Sequence, residues 1–194
     1  MSWPFLYFAG DRLSTAELTC ARLDGDVVEV GEAYMPADAV ETRELRAASL
    51  RERVPETLAA TRDTAAWVHG AVPDPPSRHS VQRRSPVRLH HVIDARLSYR
   101  DQLMPADAIE RIGGVWVTTP ERTLADLVRA LHAGDAVVDL VEALLAWRSD
   151  LAAGALEMLE GGPAMHHKRP ALEFLRARAA VPRRGQDEVT RYTS

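Results

Sequence analysis

The side chains that could do chemistry are few and scattered. The seven histidines are His69, His79, the adjacent pair His90-His91, His132, and the adjacent pair His166-His167. Neighbouring residues on a strand point to opposite faces, so neither pair presents two ligands to one metal ion. The chain has no His-Glu-x-x-His, no helical His-x-x-x-His, and Cys20 has no second cysteine to join it. Zinc-type ligation therefore has no donor set, and we expect neither a metal nor another cofactor. Magnesium-dependent nuclease chemistry wants converging carboxylates, usually with a lysine. The single lysine, Lys168, sits in His-His-Lys-Arg-Pro without an acid two residues away. No phosphate-binding glycine loop occurs, and Gly113-Gly114 reads as a bare turn. Cys20 has no neighbouring histidine to activate it. No serine has a triad-like spacing, although distant residues can assemble one. The residues point to a protein that is not an enzyme.

What remains is charge. The 194 residues carry a net charge of −4, which excludes nucleic-acid binding by bulk electrostatics. The charge is unevenly spread. Residues 1–70 have 7 Arg against 12 acids, whereas residues 78–100 have 6 Arg against Asp94 alone. Residues 101–162 are acidic again, with 4 Arg against 11 acids, and residues 163–194 carry 7 Lys+Arg against 3 acids. Two basic segments thus interrupt an acidic protein. The DNA-contacting candidates are Arg78, Arg83, Arg84, Arg88, His90, His91, Arg96 and Arg100 in the first, and Lys168 and Arg169 in the second. The competing reading of each is a solvated face. Arginine is also plentiful for compositional reasons, since 23 arginines stand beside one lysine and no asparagine.

The elements that must position these side chains can be read from caps and periodicity. Ser14-Thr15-Ala16-Glu17 is a capping box opening a helix to about Leu23, which Asp24-Gly25 stops. Val27, Val28 and Val30, a Gly31-Glu32 turn and Ala33-Tyr34-Met35 form a hairpin, giving the helix-plus-wing outline of the end of a winged helix. Asp24, Asp26, Glu29, Glu32 and Asp38 make that wing repulsive to a phosphate backbone. A helix is predicted over 43–53 with Leu45 and Leu50 inward, then a short one from Ala65 to His69 capped by Thr64. Strands are predicted at 79–83, 86–93 and 112–117. Thr118 or Thr119, with Pro120, opens a helix whose inward stripe is Leu124, Leu127, Val128 and Leu131. Asp135 caps a helix over 136–147, apolar nearly all round and so expected at the centre. Ser149 or Asp150 caps a further helix ended by Gly161-Gly162, and Pro170 opens the last, with Leu172 and Leu175 inward. Arg122 and Asp126 have the spacing of a surface pair worth a few tenths of a kcal/mol.

The expected class is α+β: a small helix-plus-β-hairpin (a partial winged helix), a few antiparallel strands, and a C-terminal helical bundle. Residues 1–62 would be the abbreviated winged-helix-like region, 63–180 an α+β domain and 181–194 a flexible tail. The start, MSWPFLYFAGD, has no basic segment or cleavage site of a signal peptide, and no apolar run is long enough to span a bilayer, so the cytoplasm is expected.

At residues 112–131 the chain, IGGVWVTTPERTLADLVRAL, resembles the AbiE-type antitoxins of abortive-infection toxin–antitoxin systems. Their strand runs into a Thr-Pro-x-Arg-Thr-Leu-x-Asp-Leu helix start, and Thr119, Pro120, Arg122, Thr123, Leu124, Asp126 and Leu127 stand in those places. Ala65-Ala66-Trp67-Val68-His69-Gly70 resembles the family's short helix, and LSTAEL…DVVEVGEAYMP the end of its N-terminal winged helix. The resemblance implies a transcriptional autorepressor of a two-gene operon. Its partners would be operator DNA and a nucleotidyltransferase-like toxin, often without a stable toxin complex. Two other readings stand beside it: a protein-interaction module of the same fold that has lost DNA binding, and an unrecognised hydrolase or nuclease.

Overall fold

The computed structural model describes residues 5–89 and 94–180. His90, His91 and the C-terminal tail lie outside them. Helix α1 (Thr15–Asp24) begins at the capping box, with Ser14 N–H donating to Glu17 at 2.8 Å, and ends at Gly25 in the left-handed region. The hairpin follows as β1 (Val27–Val30) and β2 (Ala33–Pro36), in antiparallel register Val30 to Ala33. Gly31 in its turn has φ +55°, and a Cβ there would lie 2.3 Å from Ser49 Oγ and 2.8 Å from the Trp67 ring. The turn is thus pressed against the core and admits only glycine.

Next come α2 (Arg43–Ser49), β3 (Leu58–Ala60), α3 (Arg62–His69), β4 (His79–Arg83) and β5 (Leu97–Arg100). A 3-10 turn (Ala106–Ala108) leads into β6 (Ile109–Ile112) and β7 (Val115–Thr118). Helices α4 (Pro120–His132), α5 (Val138–Trp147), α6 (Leu151–Gly161) and α7 (Lys168–Ala179) complete the described chain. The class is α+β, and the larger sheet has five strands in the order β5-β4-β3-β7-β6. That sheet is mixed: β3–β4 and β6–β7 are antiparallel, β4–β5 and β3–β7 parallel.

Several local expectations are corrected. Residues 86–89 form no strand, and the partner of β4 is β5 further along. Gly113-Gly114 does not enter a strand 112–117 but turns between β6 and β7. Helix α3 is capped at Thr61, not Thr64, because the Thr64 hydroxyl is turned inward to accept from Ser80 N–H at 2.8 Å. Val137, not Asp135, stands at the start of α5, and Asp135 instead accepts from Arg62.

Two apolar clusters share α3. Trp67, Ala65 and Val68 pack with the hairpin, α2 and the sheet, while Ala66 packs with Leu124, Leu127, Leu144 and Leu175 of the helices. Helix α5 is not central. Only Val141 and Leu144 are buried, and Val138 and Trp147 are 50% and 39% exposed. The hairpin is tied to the sheet by Glu32, a wing acid at sequence level. Its nearly buried carboxylate accepts from Arg96 at 2.5 Å, Arg53 at 3.1 Å and His79 at 3.2 Å.

Candidate functional site

The joint between β7 and α4 is a hydrogen-bonded corner. Thr119 caps α4 by accepting from Arg122 N–H, Pro120 occupies the first turn, and the Thr118 and Thr123 hydroxyls meet at 2.8 Å in the interior. His69, buried at the end of α3, donates Nε2–H to the Thr118 carbonyl at 2.7 Å. The short helix and the Thr-Pro motif, far apart in sequence, are therefore one construction. Arg122 and Asp126 are not a surface pair. Their side chains are 9% and 14% exposed at 2.7 Å, and Arg129 reaches the other Asp126 oxygen at 3.0 Å.

Burial, before any other cause, holds His69 and His79 below the ordinary histidine range, against the Thr118 carbonyl and Glu32 respectively. The unfolded chain takes up protons as the pH falls through that range, and the folded chain lags. Stability is therefore full above the ordinary value. Below it, stability falls by up to about 1.4 kcal/mol per pH unit for each ring until the folded values are reached. Urea midpoints are expected to drop between about pH 7 and pH 5, less steeply in His69→Gln. A flat profile would contradict the neutral, buried assignment.

The sequence-predicted contact residues have different fates. Arg83 is 8% exposed and spent on Asp101, at 2.8 Å, and on the Ser85 and Pro86 carbonyls. Arg84 lies 4.1 Å over the Trp116 ring and donates to the Glu56 carbonyl. Arg88 is exposed beside Asp101 at 3.5 Å, and Arg96 is held by Glu32. His90 lies outside the described residues. Lys168 donates to the Gly162 carbonyl at 2.6 Å, and exposed Arg169 reaches Glu173 at 3.3 Å.

Arg100 and Arg78 converge, in two adjoining clefts, with Arg62 and Arg129 from the acidic segments. A cleft of about 310 Å³ is lined by Arg62, Gln82, Arg100, Gln102, Asp126, Arg129, Asp135, His166 and His167, among others. It lies between β4–β5, the start of α3, α4 and the loop before α7. A second cleft of about 370 Å³ shares Arg62 and Asp135 with it and adds Asp63, Arg78, Ser80 and Ser98. Asp135 is 2.7 Å from Arg62 and 3.8 Å from Arg100, while Asp126 serves Arg122 and Arg129. Four guanidinium groups thus share two carboxylates. Burial, then the nearby Arg62 charge, holds Arg100 below the ordinary arginine value, as expected of crowded like charges.

Backbone strain gathers at the same place. Among the described residues two non-glycine residues have positive φ, Arg62 at +52° and His167 at +58°, and both line this cleft. Each costs on the order of 1–2 kcal/mol. His167→Gly is therefore expected to raise stability by about 0.5–1 kcal/mol, the relief of strain being partly offset by glycine's freedom in the unfolded chain. A fall in the thermal midpoint would sink the strain argument. Among the described residues no group of three His, Cys, Asp or Glu is placed to hold a metal ion. Among them, too, no helix is long and apolar enough to cross a membrane.

The model of the AbiEi antitoxin C-terminal domain matches residues 58–178. That span holds the five-stranded sheet, the Thr-Pro corner and both clefts. No curated protein matches the chain. Among solved structures, the crystal structure of RV2827C protein from Mycobacterium tuberculosis is similar at 17% identity and a TM-score of 0.48, over 88% of this chain and 67% of that one. The match to the family model takes in well over half of the sequence, and the chain belongs to the AbiEi antitoxin family.

Proposed function

We propose that the chain is a non-enzymatic antitoxin and transcriptional regulator of a toxin–antitoxin operon. It acts in the cytoplasm, binds operator DNA through a basic surface and counteracts a nucleotidyltransferase-like toxin without needing a stable complex with it. On this reading the region 63–180 carries the antitoxin activity. The observation that carries the DNA part is the joint cleft. It gathers Arg78 and Arg100 from the first basic segment with Arg62 and Arg129, and His166 and His167 border it, while Lys168 and Arg169 line neither cleft. Phosphate contact supplies most of the non-specific affinity for DNA, and a concave site with surplus guanidinium charge meets that need. The wing is less suited, since Asp24, Asp26 and Glu29 are exposed on it beside Arg22, although Glu32 is engaged internally and adds little repulsion.

The antitoxin part is tested by co-expression with the toxin-like reading frame of the same operon. Restored growth is expected, and unrelieved toxicity with soluble, folded protein would overturn it. The rival reading, a protein-interaction module, draws on exposed Val138 and Trp147 of α5. It requires a partner that co-purifies through that helix.

A further inference from the structure

We propose that the floor of the 310 Å³ cleft is a seat for one phosphate group, held by Arg62, Arg100 and Arg129 together with the side-chain amide of Gln82. This rests on the DNA-binding reading only where the phosphate belongs to a duplex, because the seat also suits a free nucleotide.

Three independent observations converge. First, among the charged side chains that line the cleft, Arg62, Arg100 and Arg129 stand against Asp126 and Asp135, which leaves one guanidinium charge to be met by an anion such as a phosphodiester. Three arginines reach the cleft from α3, β5 and α4. Donors arriving from three directions suit a tetrahedral oxyanion, whereas a carboxylate is satisfied in one plane by a single guanidinium. Second, Gln82 lines the cleft on β4, is 5% exposed, and its Nε2 has no hydrogen-bond partner among the described residues. A buried amide donor left unmatched in a fold is costly, and an anion at this site supplies the acceptor. Third, the positive-φ residues Arg62 and His167 both border the cleft. Strain held at one place by the surrounding structure is a mark of a preorganised site. The volume falls within the range of small-ligand pockets, so a nucleotide-sized molecule fits.

The test is isothermal titration of the full chain with pyrophosphate, with a nucleoside 5′-monophosphate and with a short duplex. It is run on the wild type, Gln82→Leu and Arg100→Gln. Saturable one-to-one binding of at least one of the three is expected, weakened about ten-fold or more in both variants. Gln82→Leu removes the unmatched amide, so its thermal midpoint should hold or rise while binding falls. A residue needed only for folding would lose both. Should Gln82→Leu not fold, Arg100→Gln decides, since that side chain is half exposed. Tighter binding of the mononucleotide than of the duplex assigns the seat to a free ligand, and the reverse order assigns it to the DNA backbone. No saturable binding of any probe, or affinities unchanged in the variants, overturns the seat. Duplex binding unchanged in both variants, with neither small anion bound, removes the seat and leaves DNA binding to another surface of the protein. Small-anion binding without duplex binding does the opposite.

Discussion

Asp126→Ala is expected to destabilise the protein by about 3–5 kcal/mol, enough to unfold a marginal domain. The reason is asymmetry. Asp126 is almost enclosed and accepts from Arg122 at 2.7 Å and Arg129 at 3.0 Å, while Arg122 itself is 8% exposed. Removing the carboxylate leaves a buried guanidinium without its counter-charge, and the desolvation already incurred is no longer offset. Its neighbours on α4, Leu124, Leu127 and Val128, are fully buried in the helical core, so the helix cannot turn the charge out to water. Urea denaturation of wild type and variant decides the matter. A loss below about 1 kcal/mol would return the pair to the class of exposed ion pairs.

Arg100→Glu combined with Arg78→Glu is expected to lower affinity for operator DNA by about 100-fold or more at moderate salt. It should also reduce the salt slope by about two. These are the two arginines of the 78–100 segment that line the joint clefts. Arg78 also donates to the Leu97 carbonyl at 2.7 Å, so the single Arg100→Glu variant separates lost contact from disturbed strand. Arg22→Glu reverses a charge on the wing side, where Arg22 pairs loosely with Glu29 at 3.5 Å, and is expected to leave binding unchanged. If the wing variant loses as much as the cleft variant, DNA lies on the helix-plus-hairpin face instead.

The parts of this fold that the sequence revealed are those decided within a few residues. The Ser14–Glu17 box, the stop at Gly25, the Val27–Pro36 hairpin and the Thr119-Pro120 start of α4 each rest on one local hydrogen bond or one turn residue. The parts it hid are decided at long range. Nothing local tells Leu97–Arg100 that it will lie parallel to β4, or turns the Thr64 hydroxyl from a cap into an acceptor for Ser80. The composition of α5 suggested the centre, but its position at the edge of the bundle leaves Val138 and Trp147 in solvent.

The candidate site was half legible for the same reason. A charge map by segments marks 78–100 as basic, yet Arg83 and Arg96 are spent on Asp101 and Glu32. Conversely, Arg62 and Arg129 come from acidic segments and are brought to the cleft by α3 and α4. Gln82 carries no sequence signal at all, since an amide on a strand looks like any solvent-facing polar residue until its burial is known.

Operator binding through the cleft is tested most directly by the salt dependence of binding to the operon's upstream duplex, followed by fluorescence anisotropy with wild type and Arg100→Glu. Wild type should bind at about 50 mM salt and weaken about 40- to 150-fold by about 200 mM, as neutralisation of about three to four phosphates requires. Arg100→Glu should bind more weakly with a shallower slope. Folded wild-type protein that fails to bind at the lowest salt, or binds with an affinity indifferent to salt and to Arg100, would contradict it.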